Sequence, residues 1–410
     1  MYKIREYESE KDIKSVCRIW RETNWIDEDD QDKCVEIFLK EGRGFVAEYD
    51  GSAECHVSSK PGILKYLKAD LKLSIVSSVT TSRTARKQGL AKKLTAKLIA
   101  ADATDGALVS TLGIFEQGFY NLFGYGTGSY EHWLTFDPAD IITNQKITPP
   151  VRLGKEDWQL IHGAMLNRHR RHGAVTVLPS CFLEADLAWT KSAYGLGYTD
   201  ESTGELTHFF WASTKGEHGP TTIHLMAYQN MDQLNELMAL IKTLGDQIRL
   251  VKMREPAGIQ IQDLIRNPFR KRIVTEKSSF EHLNRGTAYW QMRICDLVAC
   301  IAATHLNSKE LKFNLNLSDP IEELLDNDSA WKGCGGMYII TLGPDSEAKH
   351  GFDEGLPTLT ADVGAFTRLW LGIRPASGLS ATDNLAGSQE LLEALDDVLC
   401  LPSPHPDWDY

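Results

Sequence analysis

No run of this sequence approaches the roughly 18 consecutive apolar residues that a membrane-spanning helix needs. The opening stretch MYKIREYESEKDIK is charged and has no apolar centre, so it does not read as a secretory signal. Metal-ligand spacings are missing as well. The cysteines (Cys17, Cys34, Cys55, Cys181, Cys295, Cys300, Cys334 and Cys400) form no CxxC, and the twelve histidines form no HExxH. A reduced, cytoplasmic chain without a metal site is expected. Gly and Pro total 47 of 410 residues, too few for a collagen-like or mostly disordered chain. Basic residues are also in deficit, 44 against 56 acidic, giving a net charge of −12. That balance argues against a protein that binds nucleic-acid backbone.

What is present is apolar material for a core: hydrophobic residues make up 42% of the chain. At about 100–200 residues per domain, the length predicts two to four domains. Residues 2–5 read as a strand, and 11–21 as a helix with Ile13, Val16, Cys17 and Trp20 on one face. Strands are expected at 44–49, 71–80 and 108–112, and the strongest helix at 89–101, where Leu90, Leu94 and Leu98 recur at helical spacing. Strand, turn, helix, strand is an α/β pattern.

Pro149-Pro150 interrupts regular pairing. A second segment then starts again with a strand at 151–153 and a Trp-bearing helix at 157–169. Further strands are expected at 206–211, 221–228 and 248–251, and helices at 231–244 and 259–267. A third segment from about 285 begins with a strand-like run, 287–294, and a helix, 296–303. Short apolar runs from 311 to 366 imply a small sheet, with helices at 362–371 and 389–399. Residues 313–410 carry 17 acidic and 4 basic side chains, so the rest of the chain is near neutral. The run His169-Arg170-Arg171-His172 reads as an exposed or subunit-interface face.

The sharpest local feature is Ser82-Arg83-Thr84-Ala85-Arg86-Lys87-Gln88-Gly89-Leu90-Ala91, between a strand and the strongest helix. From Arg83 to Lys97 there are six basic residues and no acidic one. Lys92, Lys93 and Lys97 fall opposite the leucine stripe and read as a solvated face. Arg86, Lys87 and Gly89 sit where bare amides and the helix dipole favour an anion such as a pyrophosphate. The spacing matches neither GxGxxG nor GxxxxGK[ST], which disfavours dinucleotide oxidoreductases and ATPases.

Arg86-Lys87-Gln88-Gly89-Leu90-Ala91 resembles the [Q/R]xxGx[G/A] motif of the GNAT superfamily of N-acetyltransferases. Some thirty residues on, Tyr120-Asn121-Leu122-Phe123-Gly124-Tyr125-Gly126 is similar to the YxxFGYG stretch of the Eis-like acetyltransferases. The resemblance implies a mixed α/β and α+β fold: tandem GNAT-like mixed sheets with helices, followed by a sterol-carrier-like α+β domain. It implies a catalytic domain at 1–148, a second GNAT-like domain without a cofactor motif at 149–284, and a sterol-carrier-like domain at 285–410. It further implies acetyl-CoA as co-substrate. The backbone of Val79 and Thr81 would meet the pantetheine arm, and Arg86, Lys87, Gly89, Leu90 and Ala91 the pyrophosphate. Tyr120 matches the catalytic tyrosine and Tyr410 the terminal residue whose carboxylate enters the site. Asp27 falls near an acidic substrate-binding position.

The acyl acceptor implied is a small cationic amine, polyamine- or aminoglycoside-like, and the assembly a homohexamer. Two departures from the family stand out: Phe115 in place of a serine near the cofactor, and Thr81-Ser82-Arg83 without a proline. Tyr125 reads as structural. Two other readings stay open: a lipid or small-molecule carrier using the C-terminal domain, and an acetyltransferase-fold scaffold without activity.

Overall fold

The computed structural model describes residues 2–27, 31–216, 219–268, 271–275 and 278–410. The chain forms two compact units, each assembled from separated stretches. One comprises Met1–Ser129, Arg171–Pro179 and Ala288–Tyr410, the other Tyr130–Arg170 and Ser180–Thr287.

The first unit begins with β1 (Lys3–Glu6), α1 (Ser9–Glu22), α2 (Asp32–Leu39), β2 (Arg43–Tyr49), β3 (Ser52–Tyr66) and β4 (Ala69–Thr81). It continues with α3 (Leu90–Thr104), β5 (Val109–Gly113), α4 (Gln117–Asn121) and β6 (Gly126–Thr127). Strands β1 to β5 lie side by side in chain order. The neighbour of β5 on its far side comes from much later in the sequence: Trp290–Ile294 is inserted between β5 and β6. Val175–Val177 pairs with the far end of β3. Among the described residues, the only parallel pair in this sheet is β4 with β5, and α3 makes the crossover between them.

Helix α3 forms because its leucines share one stripe. Leu90, Leu94 and Leu98 are buried in a core with Phe45, Val57, Val76 and Leu112. Each such leucine contributes ~1.5–3 kcal/mol of transfer free energy. The same unit holds a five-stranded sheet in the order Glu347–His350, Gly336–Leu342, Leu311–Ser318, Thr358–Asp362, Leu385–Ala386. Helices Val363–Trp370 and Gln389–Val398 coincide closely with the expected ones.

A fully buried ion pair, Arg293 with Asp319 at 2.6 Å, lies beside the Phe123-Gly124 turn. Arg293 also donates to the Phe123 carbonyl, and Asp319 accepts from Cys334 N at 2.9 Å. Gly124 sits at φ +77°, which side chains resist, and its Cβ would crowd Asp319 Oδ1 at 3.1 Å; on Gly126 a Cβ would lie 2.3 Å from the Gly364 carbonyl oxygen. The glycines of the FGYG stretch are therefore packing requirements, and Tyr125 is buried with its hydroxyl 2.7 Å from Ser110 Oγ.

The second unit is a seven-stranded sheet in the order Leu283–Thr287, Glu131–Phe136, Val251–Arg254, Thr221–Ala227, Leu206–Thr214, Ala193–Thr199, Val151–Leu153. Among the described residues its one parallel pair, Thr221–Ala227 with Val251–Arg254, is linked by helix Met231–Thr243. This repeats the β4–α3–β5 arrangement.

Two expectations are corrected. Residues 259–267 form only a short 3₁₀ turn, Ile261–Leu264, because Gln260 and Ile265 on either side are extended and Ile265 is taken into a β-bridge with Ile141. His172 is not exposed. Its Nδ1 accepts from Leu67 N at 3.1 Å and its Nε2 lies 2.9 Å from the Leu371 carbonyl, so the imidazole is a buried tie within the first unit.

Candidate functional site

Strand β4 changes character near its end. His56 pairs with Thr80, but the next pair is Ser58 with Ser77, so Ser78 and Val79 together face Val57. This bulge puts Ser78 at φ +55°. On the other edge, the ladder with β5 runs from Leu73–Val109 to Val76–Leu112 and stops. Val79 and Thr81 thus lie where β4 has left its parallel neighbour, the crevice in which α/β sheets hold ligands.

The chain then enters the basic turn. Arg83–Ala85 is a 3₁₀ turn, fixed by Arg83 N donating to Glu22 Oε2 at 2.6 Å and by the Ser82 and Thr84 hydroxyls on Glu54. Buried Ala85 anchors it to the core. Beyond Ala85 the chain is exposed through Gly89, with Lys87 at φ +63° and Gly89 at φ +74°. Left-handed backbone favours glycine, and at Gly89 a Cβ would meet nothing within 4 Å. The space in front of the α3 N-terminus is open. Gly89 provides no side-chain cap, and the amides of residues 86–89 make no backbone hydrogen bond among the described residues. The helix dipole and the cations of Arg86 and Lys87 converge there. The equivalent helix of the second unit is closed by its own Asn230 side chain, which accepts from Gln233 N at 3.0 Å.

A groove of about 510 Å³ follows from this turn. Its lining includes Val79, Thr81, Arg86, Lys87, Gly89, Leu90 and Ala91 together with Phe115, Phe119 and Tyr120. Tyr120 is placed by α4, whose N-terminus is capped by Glu116 accepting from Phe119 N at 2.9 Å. The Tyr120 ring packs edge-on against Phe119 and Tyr125. Only 7% of the residue is exposed. Burial, helped by the Glu116 charge, pushes its pKa up to about 12. At neutral pH it is a protonated donor.

The structure therefore gathers eight of the sequence-derived residues around one groove: Val79, Thr81, Arg86, Lys87, Gly89, Leu90, Ala91 and Tyr120. Two stand apart from its lining. Tyr410 lies at the end of β5: its hydroxyl is 2.7 Å from Thr111 Oγ1, and a carboxylate oxygen is 3.0 Å from where a Gly113 Cβ would be. Asp27 is exposed, with its backbone amide donating to Gln31 Oε1 at 2.7 Å. Glu28, Asp29 and Asp30 of the same acidic run lie outside the described residues. Sequence reasoning missed Glu22, Asn24 and Trp25, which also line the groove. Only the positive φ of Asn24 (+60°) marks that corner, and its sequence signal is no more than an Asn between Thr and Trp. Phe115, 83% exposed, stands at the mouth.

The chain has the GNAT-superfamily acetyltransferase fold, by its likeness to a domain model and to solved structures. Residues 3–128 match the model of the acetyltransferase (GNAT) domain. Over 368 residues the chain is 24% identical to an uncharacterized N-acetyltransferase of Streptomyces avermitilis, covering 82% of this chain and 80% of that protein. Among solved structures, a probable N-acyltransferase from Enterococcus faecalis aligns over 100% of both chains with a TM-score of 0.79 and 17% identity. Eis1 from Mycobacterium abscessus does so over 100% of both chains at 0.76 and 15%. A GCN5-related N-acetyltransferase from Anabaena variabilis gives 0.79 and 14%, again over the full length of both. Among the described residues, no helix is long and apolar enough to cross a membrane, and no group of His, Cys, Asp or Glu could hold a metal ion.

Proposed function

We propose that the chain is an acetyl-CoA-dependent N-acetyltransferase that acetylates an amine of a small cationic molecule, polyamine- or aminoglycoside-like, by direct transfer. The observation that carries this reading is the open, uncapped α3 N-terminus in the same groove as the Tyr120 side chain. The diphosphate of the donor sits on the amides of Gly89, Leu90 and Ala91, with Arg86 and Lys87 neutralising it. The pantetheine arm runs along Val79 and Thr81, adding main-chain hydrogen bonds on the side where β4 has left β5.

In the reaction the amine nitrogen attacks the thioester carbonyl carbon, forming a C–N bond. The C–S bond then breaks, and the departing sulfur takes a proton from the Tyr120 hydroxyl. The nitrogen loses its extra proton to the Tyr410 carboxylate, directly or through water. Asp27 draws the cationic acceptor toward the site. In this reading residues 1–148 carry the donor site, 149–284, whose sheet also takes in Glu131–Phe136 and Leu283–Thr287, form the second GNAT-like domain without one, and 285–410, sterol-carrier-like, bring Tyr410; the enzyme works as a homohexamer in the cytoplasm.

Isothermal titration with acetyl-CoA, followed by an amine panel scored by release of free CoA, tests the proposal. Saturable binding and amine-dependent CoA release are expected. No binding of acetyl-CoA would sink it, and binding without turnover on any amine would favour the inactive scaffold.

A further inference from the structure

The last residues of the chain do not lie loosely on the surface. Pro404, Pro406 and Trp408 are buried. What makes room for this segment is three glycines far apart in the sequence. A Cβ on Gly372 would stand 2.7 Å from the Leu401 Cβ. On Gly173 it would stand 2.3 Å from His405 N and 2.5 Å from Pro404 Cα, and on Gly113 3.0 Å from a Tyr410 carboxylate oxygen. Gly372 and Gly173 also have positive φ, +69° and +85°, which side chains resist.

The middle of this path is held most firmly. Gly173 N donates to the Lys65 carbonyl at 2.7 Å, and Lys65 N donates to the Ala174 carbonyl at 2.9 Å, fixing the turn to the end of β3. Next to it the buried His172 ring joins Leu67 to Leu371, and its backbone carbonyl accepts from His405 N at 3.0 Å. Ser129 Oγ donates to the Pro404 carbonyl. The path ends where the Tyr410 hydroxyl meets Thr111 on β5.

We propose that Gly372, Gly173 and Gly113, with His172 fixing the middle one, form a track that positions the chain's last residues and so sets where Tyr410 stands relative to the acetyl-transfer groove. These are positioning residues: none lines the groove. Their effect on turnover rests on the role of Tyr410 given above, whereas their effect on the tail does not.

The test is Gly173→Ala in the full-length protein, with two readouts. Carboxypeptidase release of Tyr410, followed by mass spectrometry, reports tail docking. The kcat and KM for acetyl-CoA, measured with an accepted amine, report catalysis. Faster release of Tyr410 is expected, with kcat falling toward the ~100-fold that an ångström of misplacement can cost and KM for acetyl-CoA unchanged. If Gly173→Ala does not fold, Gly113→Ala, whose Cβ would meet only the Tyr410 oxygen, carries the same two readouts. A tail that remains protected in the folded variant overturns the track. So does a double variant, Gly173→Ala without Tyr410, that is slower than loss of Tyr410 alone. A freed tail with unchanged kcat upholds the track and refutes the role of Tyr410 in the reaction.

Discussion

Tyr120 and Tyr125 are both buried aromatic residues of the same glycine-rich stretch, and their hydroxyls separate their roles. Tyr125 uses its hydroxyl on Ser110, inside the core. Tyr120 belongs to the groove lining, and burial keeps it protonated up to about pH 12. Tyr120→Phe is expected to lower kcat by about 10²–10⁴, the range for a general acid, while acetyl-CoA still binds by calorimetry. No alkaline loss of activity below about pH 11 should trace to this residue. An ultraviolet titration of wild type against Tyr120→Phe measures where its ring ionises.

His56 offers a prediction of another kind. Full burial, and then the charge of Lys60, push its pKa down from 6.5 to about 3. Above pH 6.5 it is neutral whether the chain is folded or not, and costs nothing. Below that the unfolded chain takes up a proton that the folded chain refuses, so stability falls with pH down to about 3. The loss between pH 7 and pH 5 is ~2 kcal/mol at 1.36 kcal/mol per unit. Urea midpoints at the two pH values, compared with those of His56→Leu, should isolate it.

At the scale of elements, the turn before α3 carries the donor site, and it was legible because several signals agreed there: a leucine stripe, a glycine at the helix start and six basic residues without an acid. Gly89→Ala places a Cβ in open space but in left-handed backbone, so a stability cost of ~1–2 kcal/mol is expected. Disturbing one charge-assisted amide contact to phosphate, worth ~1.5–3 kcal/mol, should weaken acetyl-CoA about 10- to 100-fold by calorimetry.

Other elements left weaker traces. Strand β3 carries Ser58, Ser59, Lys60 and Pro61 in its middle, all but Pro61 buried, so neither alternation nor an apolar run marks it. Helix α4 has five residues, too few to show a 3.6-residue period, and the tyrosine it places was found only through the likeness of its neighbours. The expected helix at 259–267 had isoleucines at suggestive spacing, but pairing of Ile265 with Ile141, more than a hundred residues away in sequence, keeps its end extended. Where Tyr410 ends up was not readable from its own surroundings, because Gly113, Gly173 and Gly372 determine it from distant parts of the chain.

For the whole molecule, the Arg293–Asp319 pair joins the FGYG turn to chain almost two hundred residues later. Removing one partner alone, as in Asp319→Asn or Arg293→Met, leaves an uncompensated buried charge or an unmatched carboxylate. A loss of ~3–5 kcal/mol is expected for Arg293→Met. The double variant Arg293→Met with Asp319→Leu should regain much of that, as read by denaturant midpoints.

The strand Trp290–Ile294, lodged between β5 and β6, also imposes an order on biosynthesis. When β5 leaves the ribosome, its future neighbour is still 177 residues from being made, counting from Gly113 to Trp290. At ~5–20 residues per second, that leaves one edge of the nascent sheet bare for ~9–35 s. A polypeptide that must wait this long with an unpaired strand invites chaperone attention, and truncated products ending before residue 290 should accumulate in inclusion bodies.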